Sequence, residues 1–533
     1  LKHQQEATER RAQEAAAFQQ KLRSALQGEA VVWEKAERLR LESLERLALQ
    51  GEESPDKNAA LELLGSLARP RNDGGAFQLL VDLGWWSPHE NLFLRRSQIP
   101  QAFPAEVLAL AAQVLAQPPV DPTPRQDLTH LHVYTIDDES TREIDDGLSL
   151  ERLADGGIRL WIHIADPSRW LTLGDPLDRE ARRRGTTVYL PTGPIPMFPP
   201  ALATGPMSLV QGQTVCALSF SAVLDDQGAA IATAIVPSLI RPDYRLTYDD
   251  ADEMLQMDIE AALTTLNALA RLRTRWRQEQ GAIQIDLPEA NIKVNPQDDR
   301  QLTLELIDES PSRRLVAEMM ILAGEIGARY AQEHNLPIPF RCQTQPELPS
   351  AEILEKYPAG PARNFALCRC MPKGEASVHP LRHAGLGLNA YAQVTSPIRR
   401  YSDLLAHIQI KAHLRGETPP LHRDELAQLL NALEPAIAEA NQVERQTNRY
   451  WTLEFLRRHS GEIWRALLLD WLREHERLGL ILLEDVGIKL PMRFERAIDP
   501  GDGLWVRVEG VDPRQDKITF VEVLPEALDS TAA

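Results

Sequence analysis

The sequence predicts a multidomain α+β protein: a helical N-terminal module, a mixed α/β domain and a small C-terminal β-barrel. Three observations predict it. Residues 1–50 are rich in Ala, Gln, Glu, Arg and Leu, with no Gly or Pro before Gly28, a composition that favours helix. Residues 117–126, QPPVDPTPRQ, hold four prolines in ten and read as a stiff linker. Beyond Leu131 the texture turns to β-branched alternating runs, and past Trp451 to short strands with Gly and Asp turns. The expected divisions are 1–120, 121–455, 456–525 and a tail at 526–533. A chain of 533 residues is too long for one core.

In chain order, the breaker GEESPDKN is followed by the short helix ALELLGSLA. AFQLLVDLGWW then ends at SPHENLFLRR, and FPAEVLALAAQVLA follows. Short helices with tight turns suggest a helix-turn-helix or winged-helix-like module; a plain helical cap fits the same pattern. In the middle domain LHVYTIDD, GIRLWIHIADP, TVCALSFSAVLD and AAIATAIVPSLI read as strands. MDIEAALTTLNALARLRTRWRQEQ, SRRLVAEMMILAGEIGARYAQEH and RYSDLLAHIQIKAHLRG read as helices, so strands and helices share one α+β domain. GEIWRALLLDWLRE, GLILLEDVGIKLPM and GDGLWVRVEGVDPRQDKITFVEV complete the pattern of a small barrel.

Lys and Arg number 58 against 77 Asp and Glu, a net charge of −19. The surface as a whole repels polyanions, so nucleic-acid affinity has to come from a local field. Cys216, Cys342, Cys368 and Cys370 form no CxxC pair and no ligand spacing with histidine, which argues against structural zinc and against a disulfide framework. No apolar run reaches the roughly 18 residues of a membrane span, and the start LKHQQEATERR is no signal peptide. A monomeric cytoplasmic protein without membrane association is the expectation.

Three stretches carry chemistry. TIDDESTREIDD, Thr135–Asp146, is half acidic, with six carboxyl side chains in twelve residues directly after an apolar strand. Such crowding is unfavourable unless a hard cation takes the oxygens; a solvated acidic loop is the plainer alternative. The spacing of a calcium-binding loop is absent. In YAQVTSPIRRYSDLLAH, Thr395, Ser396 and Pro397 are placed to cap a helix starting near Ile398. Free N–H groups there, with Arg399 and Arg400, suit a phosphate. Between Pro361 and Arg415 eight Lys or Arg face two acids, a basic stretch that could track phosphates. In YLPTGPIPMFPPAL the prolines stiffen a loop that presents Tyr189 either for packing or for stacking on a base.

The order TIDDESTREIDDGLSL, IHIADPSRWL, YLPTGPIPMFPPAL, GAIQIDLPE, VAEMMILAGEIGA, HAGLGLNAYAQVTSPIRRYSD resembles the RNB catalytic domain of the ribonuclease II and ribonuclease R family, over about residues 127–455. The last segment resembles that family's S1-type OB-fold barrel. The resemblance implies a processive, Mg²⁺-dependent exoribonuclease that hydrolyses single-stranded RNA from the 3′ end and releases nucleoside 5′-monophosphates. It places the metal-binding acids on Asp137, Glu143, Asp145 and Asp146, with Asp145 and Arg399 as catalytic residues. Tyr189 would stack on the terminal base. Arg399 and Arg400 would meet RNA phosphate, and Glu318 and Glu444 the terminal nucleotide. Two positions depart from the pattern: Glu143 stands where the second acid is usually Asp, and Ile285 where several members carry an aromatic base clamp. The family's usual N-terminal cold-shock barrels give way to helices. Two rival readings remain at this point: an RNA-binding protein that keeps the fold without turnover, and a helix-turn-helix DNA-binding regulator.

Overall fold

The computed structural model describes residues 2–307 and 309–524, with side chains from residue 13 onward; the expected tail at 526–533 lies outside the described residues. Two compact units divide the chain, Leu1–Gln98 and Ile99–Ala533. Among the described residues no helix is long and apolar enough to cross a membrane.

The first unit is helical, as expected: α1 (Lys2–Leu26), α2 (Lys35–Gln50), α3 (Lys57–Ser66), α4 (Asp73–Asp82) and α5 (Leu92–Arg96). Leu41, Leu44 and Ala48 recur on one face of α2 and close a core with Phe18, Leu22, Leu64, Leu79 and Trp86. Asn72 and Asn91 cap α4 and α5 by accepting N–H bonds from Gly75 and Leu94. Glu45 Oε1 accepts both Trp85 and Trp86 indole N–H groups, at 2.6 and 3.1 Å.

The second unit is built on a mixed seven-stranded sheet: β1 (Gln126–Asp127), β2 (Val133–Ile136), β3 (Asp146–Arg152), β4 (Ile158–Ala165), β5 (Val215–Leu224), β6 (Ala230–Ile240) and β7 (Pro242–Leu246), in the order β1-β6-β5-β4-β3-β2-β7. The β1–β6 and β2–β7 pairs are parallel and the rest antiparallel. Both faces are covered, which is why β4 reads as a nearly continuous apolar run. Its alternate residues separate cleanly. Leu160, Ile162 and Ile164 face a layer containing α8 (Ala261–Glu279) and α9 (Pro311–Glu333). Trp161 and Ala165 face α6 (Ala105–Ala116), α7 (Pro176–Arg184), α10 (Tyr401–Leu414) and α11 (Arg423–Arg458). Here α6 packs through Val107, Ala111 and Val114 onto this second unit.

A five-stranded antiparallel OB-like sheet ends the chain: β8 (Ile463–Arg473), β9 (Leu478–Leu483), β10 (Ile488–Arg493), β11 (Gly503–Asp512) and β12 (Lys517–Val523), in the order β10-β9-β8-β11-β12. The 36-residue α11 runs on to Arg458 and seats Leu453, Phe455 and Leu456 in the core of this sheet.

Candidate active site

The acids are gathered by the sheet register. β2 and β3 are adjacent and antiparallel, with Tyr134 opposite Leu148. Continuing that register past the strand ends sets Asp137 opposite Asp145, so a carboxylate leaving one strand meets two entering the next. Gly147, beside Asp146, allows the close approach: a Cβ there would lie 2.8 Å from Val133 Cγ1. Across β3, Asp146 pairs with Ile164, and Ala165 N–H donates to the Asp145 carbonyl at 2.7 Å.

The result is a dense negative site. Burial, then the neighbouring carboxylates Asp145 and Asp146, push Asp137 well above the usual carboxylate range. Asp146 is raised by burial and then by Asp145. Glu143 is pushed up to about 7 by burial and then by Asp145, with Arg399 opposing. Burial also lifts Asp145, to about 6, against the pull of Arg399 and the Ile398 N–H. Asp137 Oδ2 and Asp145 Oδ2 are buried without a hydrogen-bond partner.

Arg399 stands over this cluster. Its Nε lies 3.3 Å from Asp145 Oδ2, an ion-pair separation without hydrogen-bond alignment. Its carbonyl accepts from Thr187 N–H and from the Thr186 hydroxyl, both at 3.0 Å. Those threonines lead into the hairpin Val188–Leu190/Gly193–Ile195, which carries Tyr189. The Tyr189 side chain is 46 % exposed, and its backbone N–H donates to Glu444 Oε1 at 2.5 Å. Burial raises the Tyr189 phenol, and the charges of Arg399, Glu143, Asp145 and Glu444 all act on it. The fold thus brings Asp137, Glu143, Asp145, Asp146, Tyr189, Arg399 and Glu444 together.

Three expectations change. The helix of the TSPIRRY stretch begins at Tyr401, not near Ile398, and neither Thr395 nor Ser396 caps it. The fully buried Asp403 holds the preceding turn instead: its Oδ2 accepts from Ser396 N–H at 2.9 Å and from Arg400 Nη2 at 2.8 Å. The anion that meets the free N–H of this turn is internal, since Ile398 N–H donates to Asp145 Oδ1 at 3.1 Å. Arg400 is therefore committed to Asp403. Glu318 is only 2 % exposed and sits on α9 in a bidentate pair with Arg277, at 2.8 and 2.6 Å, with the Thr274 hydroxyl 2.9 Å away. Its oxygens are held by Arg277 and Thr274 inside the frame.

Sequence patterns missed the cations flanking the acidic loop. Arg245 donates to the Thr141 carbonyl, and Arg313 Nη2 lies 3.2 Å from Asp138 Oδ1 while stacking 4.0 Å from the Tyr248 ring centroid. Lone arginines on β7 and at the start of α9 carry no local signal; the tertiary fold creates their role.

The donor set fits a hard cation. All the donors are carboxylate oxygens, and two buried oxygens lack a hydrogen-bond partner. Among the described residues no group of three or more His, Cys, Asp or Glu side chains draws around one point. Carboxylate oxygens are the ligands that hard cations take.

Residues 125–416 match the RNB domain and residues 1–92 a double HTH domain. The chain is 53 % identical over 527 residues to an uncharacterised ribonuclease of Synechocystis, covering 98 % of this chain and 78 % of that protein. It is 39 % identical to the chloroplastic/mitochondrial ribonuclease II of Arabidopsis thaliana, covering 91 % of this chain and 61 % of that one. Its fold resembles Mycoplasma genitalium RNase R in complex with ribose-methylated single-stranded RNA, with a TM-score of 0.69, 20 % identity, and coverage of 81 % of this chain and 77 % of that one.

Proposed function

Because this chain belongs to the RNB-domain ribonuclease family, we propose that it is a hydrolytic 3′-to-5′ exoribonuclease acting processively on single-stranded RNA and releasing nucleoside 5′-monophosphates with Mg²⁺. The observation that carries this reading is the meeting of a buried acid cluster, an arginine and an exposed tyrosine at one end of the central sheet.

Asp137 and Asp146 are the pair suited to hold Mg²⁺, with Glu143 and Asp145 close behind. A bound Mg²⁺ supplies Lewis-acid charge and an activated water for phosphodiester hydrolysis. Asp145 fixes the Ile398 turn and faces the Arg399 guanidinium, so Arg399 is aimed before substrate arrives. There Arg399 neutralises charge on the phosphoryl oxygens as it grows. Tyr189, free on one side, stacks on the terminal base, and Glu444 steadies its backbone. Among the cations of the 361–415 stretch, those not committed to internal acids meet the RNA phosphates. The C-terminal sheet acts as an S1-type barrel that retains the strand between cuts. Cytoplasmic residence and a monomeric state belong to the same reading.

Incubating the purified chain with Mg²⁺ and 5′-labelled single-stranded RNA tests it. Mononucleotides and a short limit product are expected, with the matched DNA left intact for want of the 2′-hydroxyl. RNA binding without products would leave a non-catalytic RNA-binding protein in its place.

A further inference from the structure

A cavity of about 740 Å³ lies at the opposite end of α10 from Arg399. It is bounded by the C-terminal half of α6, the proline-rich segment 119–123, residues 168–173 after β4, and the last turns of α10. At 1.5 Å per residue, the 14 residues from Tyr401 to Arg415 span roughly 21 Å, which separates this cavity from the turn that carries Arg399. The volume is that of a small-molecule site.

The lining is apolar with a few nitrogen donors. Leu110, Val114, Trp170, Leu171, Leu173 and Ile408 contribute the walls. Three lining side chains carry buried nitrogens that find no acceptor: Arg169 Nη1, Trp170 Nε1 and Arg415 Nε. These three atoms are closed off from the cavity itself; what faces it is the remainder of the half-buried Arg169 and Arg415 side chains. The acids nearby are already used. Asp121 pairs with Arg125 at 2.5 Å, Glu417 with Arg415 Nη2 at 2.6 Å, and Asp175 caps α7. Lys411 is buried and bonded to Asp166 at 2.6 Å. Arg169 has no carboxylate partner; its guanidinium lies 4.4 Å from the Trp170 ring centroid. None of the cavity's lining side-chain acceptors is buried without a partner. The uncompensated charge of Arg169 beside Trp170 and the aliphatic wall favours an anionic ligand with an apolar or aromatic body.

We propose that this cavity is a second ligand site that takes a nucleoside 5′-monophosphate, with the phosphate on Arg169 and Arg415 and the nucleoside against Trp170 and the apolar wall. Guanidinium groups are the side chains best matched to phosphate oxygens, and the aromatic and aliphatic walls suit a base and sugar. The proposal goes beyond the exoribonuclease reading and does not depend on it, because binding here needs neither RNA nor turnover.

The test is calorimetric titration of the full chain in EDTA with adenosine 5′-monophosphate, adenosine and inorganic phosphate. The nucleotide is expected to bind at least tenfold more tightly than either fragment. Arg169→Ala and Arg415→Gln should each weaken it at least tenfold. Leu173→Trp, which fills the cavity and leaves every charge in place, should abolish binding, and it carries the test if an arginine variant does not fold. Arg399→Ala should leave binding unchanged. Loss of binding in Arg399→Ala with retention in Leu173→Trp would place the nucleotide at the acid cluster and overturn the proposal. So would affinity no greater than that of phosphate alone.

Discussion

At the scale of single residues, Asp145 has two tasks. One oxygen orders the turn before α10 through Ile398 N–H, and the other faces Arg399. Asp145→Asn preserves the shape and removes the charge, so it should lower RNA turnover by about 10²–10³-fold, the range for losing a preorganised electrostatic group. RNA binding, followed by filter retention, should persist or tighten because repulsion of phosphate falls. Normal turnover in this variant would remove Asp145 from the catalytic machinery. Glu143→Asp keeps the charge and should act more mildly. Glu318 makes a different prediction. Glu318→Gln leaves the buried Arg277 without its counter-charge, while Arg273 keeps Glu325, a loss of about 3–5 kcal/mol when a buried pair is broken. An earlier urea midpoint with an unchanged final product length is expected. A changed product length at unchanged stability would return Glu318 to the nucleotide site.

At the scale of elements, β4 is the most legible part of the chain, because strands buried on both faces have little choice but apolar residues. It also hides a titrating group. His163 is fully buried, with Ser149 and Ser219 hydroxyls 2.7 Å from its two ring nitrogens, and burial lowers its pKa to about 3. The unfolded chain takes up this proton near pH 6.5 and the folded chain resists it. Stability is therefore complete above about pH 6.5 and falls toward pH 3, by about 1.4 kcal/mol per pH unit for one such group. The raised carboxylates of the acid cluster act in the opposite sense, so the measurement is a difference: urea midpoints of wild type and His163→Asn between pH 6.5 and 4.5. The wild type should lose more stability on acidification; parallel curves would mean that His163 charges freely. The helix after TSPIRR shows where sequence reading stops. Thr, Ser and Pro make a plausible cap, yet the start waits until Tyr401. Asp403, inside the helix, and Asp145, more than 250 positions earlier, claim the N–H groups first. The acid loop was visible because it is local; the partners that give it a geometry are far away in sequence.

At the scale of the molecule, the C-terminal sheet shares its core with α11 through Leu453, Phe455 and Leu456, so removing it would strip that helix. Point variants on its exposed face are the cleaner probe. Trp505 is 37 % exposed on β11; Trp505→Ala should weaken binding of long RNA by about 1–3 kcal/mol if it stacks on a base. Release of mononucleotides from short oligomers should continue at the normal rate, and an equal loss on both substrates would place Trp505 outside the RNA path. The same α11 has a further consequence. Glu444, which accepts the Tyr189 backbone N–H, and Phe455, in the core of the C-terminal sheet, are 11 residues apart on one helix, roughly 16 Å at 1.5 Å per residue. The Tyr189 anchor and the core of the C-terminal sheet are therefore carried on one continuous helix. On the proposed reading each cut moves the RNA and leaves the protein still, as a fixed gauge through which thread is drawn. The gauge sets a minimum span: a strand too short to reach both ends is held at one end only and is free to leave between cuts.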